Sequence, residues 1–196
     1  ESGEPPSSRR ISIAARRLTE RCDHPAETVL TLFDDIKGPY EVGDMDDAEF
    51  VRQGMALTGF RGTPEEFAAI WCEIFAQNEP MHQTLGALAG RLPMHLLSNT
   101  NELHKSYFLR EFPIFQHFQG GVYSHIARCA KPGEEIFLKT AAQLDLDPAR
   151  TFYIDDLAAN IATADRLGFR TFHYSFMKHS QLQAELNEWL EAQGIG

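Results

Sequence analysis

Two adjacent carboxylates, Asp155 and Asp156, follow a short apolar run and stand directly before a helical pattern. This order predicts a buried parallel strand whose acids lie at the carboxyl end of a sheet, where open α/β sheets bind ligands. Neighbouring carboxylates repel each other, and a hard divalent cation such as Mg²⁺ would offset that repulsion. The alternative is a helix N-terminus, where one Asp caps the first turn and its neighbour favours the dipole. Asn160 follows one helical turn later, on the same face.

Two other segments place polar groups between an apolar run and a helix. Ser98, Asn99 and Thr100 end one such run, and a hydroxyl beside the first backbone N–H groups of a helix can bind a phosphate. The same residues would serve equally as a helix N-cap. Lys131 stands before Pro132 at the start of another helix, where it would either bind a phosphoryl oxygen or lie solvated on the surface.

Strand-like and helical segments alternate after Pro80, which predicts an α/β fold with a parallel sheet flanked by helices. The expected strands are 94–98, 122–125, 151–155 and 170–174, and the expected helices are 80–91, 101–111, 133–144, 157–167 and 180–192. Residues 11–77 instead predict four helices and no strand: 11–22, 25–38, 46–57 and 64–75, with a loop from Tyr40 to Asp47. Residues 1–10 are rich in Pro, Ser and Gly and predict a disordered leader.

The composition excludes several classes of protein. The chain has 196 residues, 43% of them hydrophobic, which fits either one sizeable globular domain or a core with a small subdomain. No apolar run is long enough to span a membrane. A formal charge of −10 argues against nucleic acid and anionic membranes as partners. The three widely spaced cysteines predict neither a disulfide framework nor a zinc site. No signal peptide is visible, so a cytoplasmic location is expected.

Taken together, the three polar segments resemble the motifs of the haloacid dehalogenase-like (HAD) hydrolases. Ser98-Asn99-Thr100 is similar to the second family motif, Lys131 to the third, and Asp155-Asp156 with Asn160 to the fourth. The helix that leads to Gly168 also follows the family pattern. The resemblance implies a Rossmann-like core at 79–196 and a small helical cap at 11–78 after the leader. Residues 40–50 and 98–104 are similar to the branch that contains glucose-1-phosphate phosphatases.

The resemblance also implies roles for these residues in a Mg²⁺-dependent phosphatase of a small phosphorylated metabolite, such as a sugar phosphate. Asp156 would bind the metal directly, Asp155 directly or through water, and Asn160 would orient the two acids. Ser98, the Asn99 backbone N–H and Lys131 would hold the transferring phosphoryl group. His104 and Tyr107, on the helix after the second motif, would either face the cleft or pack in the core.

The family's nucleophile is not found in this chain. The resemblance requires an apolar strand ending in Asp-x-Asp before the cap, with the first Asp taking the phosphoryl group and the second serving as acid and base. Residues 1–10 contain no Asp and no apolar run. Asp34 ends the apolar run 29–33 and is a weak candidate, because Ile36 occupies the position of the second acid and Pro25 favours a helix there.

The missing strand would lie at the centre of the sheet, so its loss would expose two strand ladders and a large apolar area. An enzyme that had only lost its activity would be expected to keep that strand. We therefore expect a chain whose start is truncated or replaced, and which by itself has little or no activity. The alternative is a catalytically inactive HAD-like protein that binds a metal, a phosphate or a partner. A 2-haloacid dehalogenase is a less favoured reading, because that chemistry uses no metal. The sequence does not predict the oligomeric state.

Overall fold

The computed structural model describes residues 16–195. The leader expected at 1–10 and the first part of the helix expected at 11–22 lie outside the described residues. Residues 16–19 are helical, and a turn follows them. In the described part of the chain, every helix is too short or too polar to span a bilayer.

Helices α1 to α4 form the first part of the fold, and they are Ala26–Leu32, Asp34–Glu41, Asp47–Thr58 and Pro64–Cys72. Side chains cap the starts of two of these helices: the Asp46 side chain caps α3, and Thr63 and Glu66 form a capping box at α4. These helices enclose an aromatic core in which the ring centroids of Phe33 and Trp71 are 4.8 Å apart. In residues 16–77 no strand is found, as expected.

The single helix expected at 25–38 is wrong in both its continuity and its end. The chain forms two helices that break at Phe33, and the second continues through Pro39 to Glu41. Its last turn carries Tyr40, which is 2% exposed and stacks on Phe50 at a centroid distance of 4.1 Å. This packing stabilises the turn that follows the proline, an effect that local sequence patterns do not report. The helix expected at 64–75, by contrast, ends earlier than expected, at Cys72.

Strands and helices alternate in the rest of the chain, which confirms the predicted α/β class. The strands β1 to β4 are Leu96–Ser98, Gly121–Tyr123, Phe152–Asp155 and Arg170–His173. The helices α5 to α10 are Glu79–Leu88, Glu102–Glu111, Ser124–Ala127, Glu134–Gln143, Ala158–Arg166 and His179–Ala192. The second strand is shorter than expected, because the chain turns into the short helix α7 at Ser124.

The four strands form two parallel pairs. Strand β1 pairs with β2, from Leu96 beside Gly121 onwards, and β3 pairs with β4, from Phe152 beside Arg170 onwards. Among residues 16–195 no strand precedes β1, and no ladder hydrogen bonds join the two pairs. This arrangement agrees with a Rossmann-like HAD sheet whose first central strand is not found in the described residues. All three residues of β1 are half-buried, whereas a strand inside a continuous parallel sheet is normally buried on both faces.

Helix α7 connects the sheet to helices α1 to α4, which together are called the helical segment. The Ser124 hydroxyl, fully buried, donates to the Glu41 carbonyl at 2.6 Å and accepts from the Thr100 backbone N–H at 2.9 Å. Arg128 donates to the Gly43 carbonyl on the same side. Gly43 has φ 77°, and a Cβ there would come within 2.1 Å of the His125 carbonyl oxygen, so glycine permits this close approach.

Candidate active site

Lys131 lies at the centre of a buried polar cluster at the carboxyl ends of β1 and β3. Its ammonium donates to Asp155 Oδ2 at 2.7 Å and to the Leu97 carbonyl at 2.8 Å. The side chains of Lys131 and Asp155 are 9% and 6% exposed, so this lysine is not a solvated surface residue. The ion pair therefore connects the two strand pairs, which share no ladder hydrogen bonds in the described chain.

Asp155 accepts hydrogen bonds at both carboxylate oxygens. Oδ2 accepts from Lys131 and from the Tyr153 hydroxyl at 2.6 Å, and Oδ1 accepts from the Leu157 backbone N–H and from Asn160 Nδ2, both at 2.9 Å. Burial by itself would raise the pKa of Asp155, but the Lys131 and Tyr153 donors hold it below its usual value. A carboxylate offers about four lone-pair positions, and all of them are occupied here.

Tyr153 belongs to this cluster, although sequence reasoning did not single it out. It precedes Asp155 by two residues on β3, so the two side chains project from the same face of the strand. Burial and the neighbouring Asp155 carboxylate raise the pKa of Tyr153, which keeps its hydroxyl protonated and able to donate. The period-two spacing of a polar aromatic residue before the acid is the signal that could have identified it.

Asp156 contrasts with its neighbour. Its carboxylate is exposed and accepts no hydrogen bond from the described residues, while its backbone carbonyl accepts from His173 Nε2 at 3.0 Å. Residues 16–195 contain no group of three or more His, Cys, Asp or Glu side chains arranged around a metal position. Mg²⁺ in proteins commonly takes one or two carboxylates and completes its shell with water and substrate phosphate. The free carboxylate of Asp156 fits that mode of binding.

In the Ser98-Asn99-Thr100 segment, the Asn99 side chain binds the backbone of Lys131. Asn99 Nδ2 donates to the Lys131 carbonyl and Asn99 Oδ1 accepts from the Lys131 backbone N–H, both at 2.8 Å. The Ser98 hydroxyl makes only a long contact of 3.5 Å to the Asn99 carbonyl among the described residues, which leaves it available to a ligand. The Thr100 N–H is already bonded to Ser124, so it does not contribute to a phosphate site.

His104 and Tyr107 lie in packed surroundings. His104 stacks on Trp71 at a centroid distance of 5.3 Å, and its Nε2 is 3.1 Å from the Trp71 carbonyl oxygen. Burial lowers the pKa of His104 to about 4, so the ring is neutral near pH 7 and bridges helices α4 and α6. The Tyr107 ring stacks on Phe75 at 6.1 Å.

Asp34 lies in the first turn of α2, where no strand ends. The Asp-x-Asp pattern itself occurs twice in the sequence, as Asp44 with Asp46 and as Asp145 with Asp147. Asp46 caps α3, and Asp147 caps the short 3₁₀ helix at the amino end of β3, the edge opposite to Asp155. None of these aspartates follows an apolar strand, so the described residues offer no nucleophile in the position that the second to fourth motifs require.

The solved structures most similar to the chain in fold include HAD proteins. A HAD family enzyme of Bacteroides thetaiotaomicron, in complex with magnesium and inorganic phosphate, has a TM-score of 0.73 and 24% identity, with 85% of each chain covered. A predicted HAD-like family hydrolase of Porphyromonas gingivalis has a TM-score of 0.59 and 26% identity, covering 76% of this chain and 82% of that one.

A more distant similarity is to the L-2-haloacid dehalogenase of Xanthobacter autotrophicus with chloropropionic acid covalently bound. Its TM-score is 0.61 at 14% identity, covering 82% of this chain and 70% of that one. No curated protein matches the chain. The model of the haloacid dehalogenase-like hydrolase family matches residues 14–168, which is most of the sequence, and the chain therefore belongs to that family.

Proposed function

We propose that this chain carries the phosphate-binding and Mg²⁺-binding part of a phosphatase site, for a small phosphorylated metabolite such as a sugar phosphate. The observation that carries the proposal is the buried ammonium of Lys131. An ammonium has three donors, and Leu97 and Asp155 accept two of them within residues 16–195. The remaining N–H can bind a phosphoryl oxygen at the carboxyl edge of the sheet.

The other groups of the site complement this cation. The Ser98 hydroxyl and the Asn99 backbone N–H would bind phosphoryl oxygens beside Lys131 and offset their charge. Asp156 would hold Mg²⁺, which when bound neutralises further charge on the phosphoryl group. Asp155 and Asn160 would keep Lys131 and the turn in place rather than touch the substrate. The helical segment, as a cap over 11–78, would select the metabolite bound to the core at 79–196.

Hydrolysis in this family needs a carboxylate that attacks phosphorus, displaces the alkoxide and is then regenerated by water. The proposal places that nucleophile outside this chain, because no strand-end aspartate precedes β1 in the described residues. We therefore expect the 196-residue chain to bind phosphate with Mg²⁺ and to turn over little or no phosphomonoester. The magnesium and phosphate complex of the B. thetaiotaomicron protein, which has a similar fold, supports this type of ligand.

The missing nucleophile also favours a second candidate, a non-catalytic HAD-like protein that binds a phosphorylated ligand or a partner protein. In that case a phosphorylated metabolite would bind without being hydrolysed. A dehalogenase is less well supported, since that chemistry uses no metal and has little need of two adjacent carboxylates such as Asp155 and Asp156.

The test is the affinity for inorganic phosphate at a fixed, saturating concentration of MgCl₂. Wild-type protein should bind, and Lys131→Met should bind at least about tenfold more weakly, since a charge-assisted hydrogen bond is lost. Lys139→Met is the matched control: Lys139 also donates to a backbone carbonyl at 2.8 Å and pairs with Glu135 at 2.8 Å, but it is 45% exposed. Equal binding by wild type and Lys131→Met, or no binding by wild type, would contradict the proposal.

A parallel assay of 4-nitrophenyl phosphate hydrolysis tests whether this chain contains a nucleophile. We expect no turnover above the buffer rate. Substantial turnover that Asp34→Asn abolishes would assign the nucleophile to Asp34 and contradict its placement outside this chain.

A further inference from the structure

Tyr153 and Lys131 share one oxygen of Asp155. The Tyr153 hydroxyl is 2.6 Å and the Lys131 ammonium 2.7 Å from Oδ2, so both donors divide the negative charge of the same atom. The Lys131 ammonium also lies 5.9 Å from the centroid of the Tyr153 ring. We propose that the Tyr153 hydroxyl is a positioning group, which limits how tightly Asp155 holds Lys131 and so leaves the ammonium free to bind a phosphoryl oxygen. This inference rests on the proposed phosphate site.

The physical basis is competition between donors. A second hydrogen bond to a carboxylate oxygen stabilises its anionic form and makes it a weaker acceptor for the first donor. Without the hydroxyl, Asp155 Oδ2 would carry more charge towards Lys131 and would compete more strongly with an incoming phosphate. The positive end of the hydroxyl dipole would also be lost, which makes the site more negative and less favourable for an anion.

The hydroxyl is a persistent donor. An ionised carboxylate only accepts hydrogen bonds, so at 2.6 Å from Asp155 Oδ2 the Tyr153 hydroxyl is the donor. The ring is fixed independently of the hydroxyl, because it packs edge-on against Phe137 at 5.4 Å and lies 6.2 Å from Phe169. Tyr153→Phe therefore removes the hydrogen bond and keeps the ring contacts.

The chain offers a matched control. Tyr40 also donates to an aspartate, Asp47 Oδ1, at 2.6 Å, and burial likewise raises the pKa of Tyr40. Tyr40 lies in α2, in the aromatic core of the helical segment, and makes no hydrogen bond to Lys131 or Asp155 among the described residues. Tyr40→Phe thus deletes the same type of bond without changing the proposed phosphate site.

The experiment is a ³¹P NMR titration of inorganic phosphate at fixed, saturating MgCl₂ for wild type, Tyr153→Phe, Tyr40→Phe, Asp155→Asn and the Tyr153→Phe/Asp155→Asn double variant. Tyr153→Phe should weaken binding about three- to tenfold, the range of one hydrogen bond, and Tyr40→Phe should equal wild type. In the Asp155→Asn background Tyr153→Phe should have no further effect, because the hydroxyl acts through that carboxylate.

Three results would overturn the inference while the phosphate site stands: wild-type affinity in Tyr153→Phe, the same weakening in the Asp155→Asn background, or equal weakening by Tyr40→Phe. Loss of cooperative thermal unfolding in Tyr153→Phe would also overturn it, since the hydroxyl would then be structural. Absence of phosphate binding by wild type would instead overturn the proposed function, and this inference with it.

Discussion

The side chain of Asn99 holds the backbone of Lys131 from both sides. Its amide donates to the Lys131 carbonyl and accepts from the Lys131 N–H, each at 2.8 Å, in the manner of a paired strand. The contact joins residues that are 32 positions apart in the sequence. Asn99 of the second motif therefore fixes Lys131 of the third motif. The position of the Lys131 ammonium depends on the Asn99 side-chain amide, which does not itself need to touch a ligand.

Asn99→Ala should lower the free energy of unfolding by about 1–3 kcal/mol, because it removes both hydrogen bonds and leaves two partly buried backbone groups of Lys131 unpaired. It should also weaken phosphate binding, since Lys131 is no longer fixed. Urea unfolding followed by circular dichroism measures the first effect. Asn99→Asp keeps the acceptor for the Lys131 N–H and loses the donor to its carbonyl, so an intermediate loss is expected. A stability equal to wild type in Asn99→Ala would refute this role.

Substitution by Asn should mainly lower stability at Asp155 and mainly lower metal affinity at Asp156. Asp155→Asn breaks a buried ion pair and should cost about 3 kcal/mol of stability. Asp156→Asn changes an exposed carboxylate and should alter stability by no more than about 0.5 kcal/mol. For the binding of Mn²⁺, used as a paramagnetic probe for Mg²⁺, Asp156→Asn should show the larger loss. Each variant serves as the control for the other, and a larger loss of Mn²⁺ affinity in Asp155→Asn would show that Asp155 is the metal ligand.

Ser124→Ala should destabilise the contact between the helical segment and the sheet. The substitution leaves the Thr100 N–H and the Glu41 carbonyl without their buried partner, which should cost about 2–3 kcal/mol. Ser106→Ala is the control, because Ser106 is exposed and donates to Glu102 on its own helix. Thermal unfolding of both variants measures the difference. Similar transition temperatures would argue that the Ser124 hydrogen bonds do not hold the helical segment against the sheet.

His104 should make the fold sensitive to acid. Its pKa is about 4 in the folded chain because of burial, against about 6.5 in an unfolded chain. The unfolded state therefore binds the proton first, and stability that is fully present above about pH 6.5 should fall by about 3 kcal/mol as the pH is lowered towards 4. Urea unfolding across this range should show a shallower loss for His104→Gln than for wild type. His24→Gln, which changes an exposed ring, is the control, and identical slopes for all three proteins would contradict the assignment.

The α/β alternation after residue 79 could be predicted from the sequence because strand-sized apolar runs and helical periods are local signals. The helix starts expected at residues 46 and 64 also rest on local signals, and the structure confirms them to within one residue. The break at Phe33 and the continuation of α2 through Pro39 could not be predicted, since the stacking of Tyr40 on Phe50 is a tertiary contact.

The same limit applies to the candidate site. The adjacent acids, the lysine and the Ser-Asn-Thr segment could be identified by residue type and order. The occupation of all the lone-pair positions of Asp155 could not, because it depends on Lys131, which comes from a loop 24 positions away in the sequence. The joint at Ser124 was also missed, since a lone serine after a strand carries no signal of its distant partners Thr100 and Glu41.

The most direct test of the account is a crystal structure of this protein grown with MgCl₂ and inorganic phosphate. We expect phosphate oxygens about 3 Å from the Lys131 ammonium and from the Ser98 hydroxyl. We also expect Mg²⁺ on the Asp156 carboxylate, with Asp155 still bonded to Tyr153. A phosphate bound elsewhere, or an occupied site in which Lys131 makes no contact with it, would contradict the account.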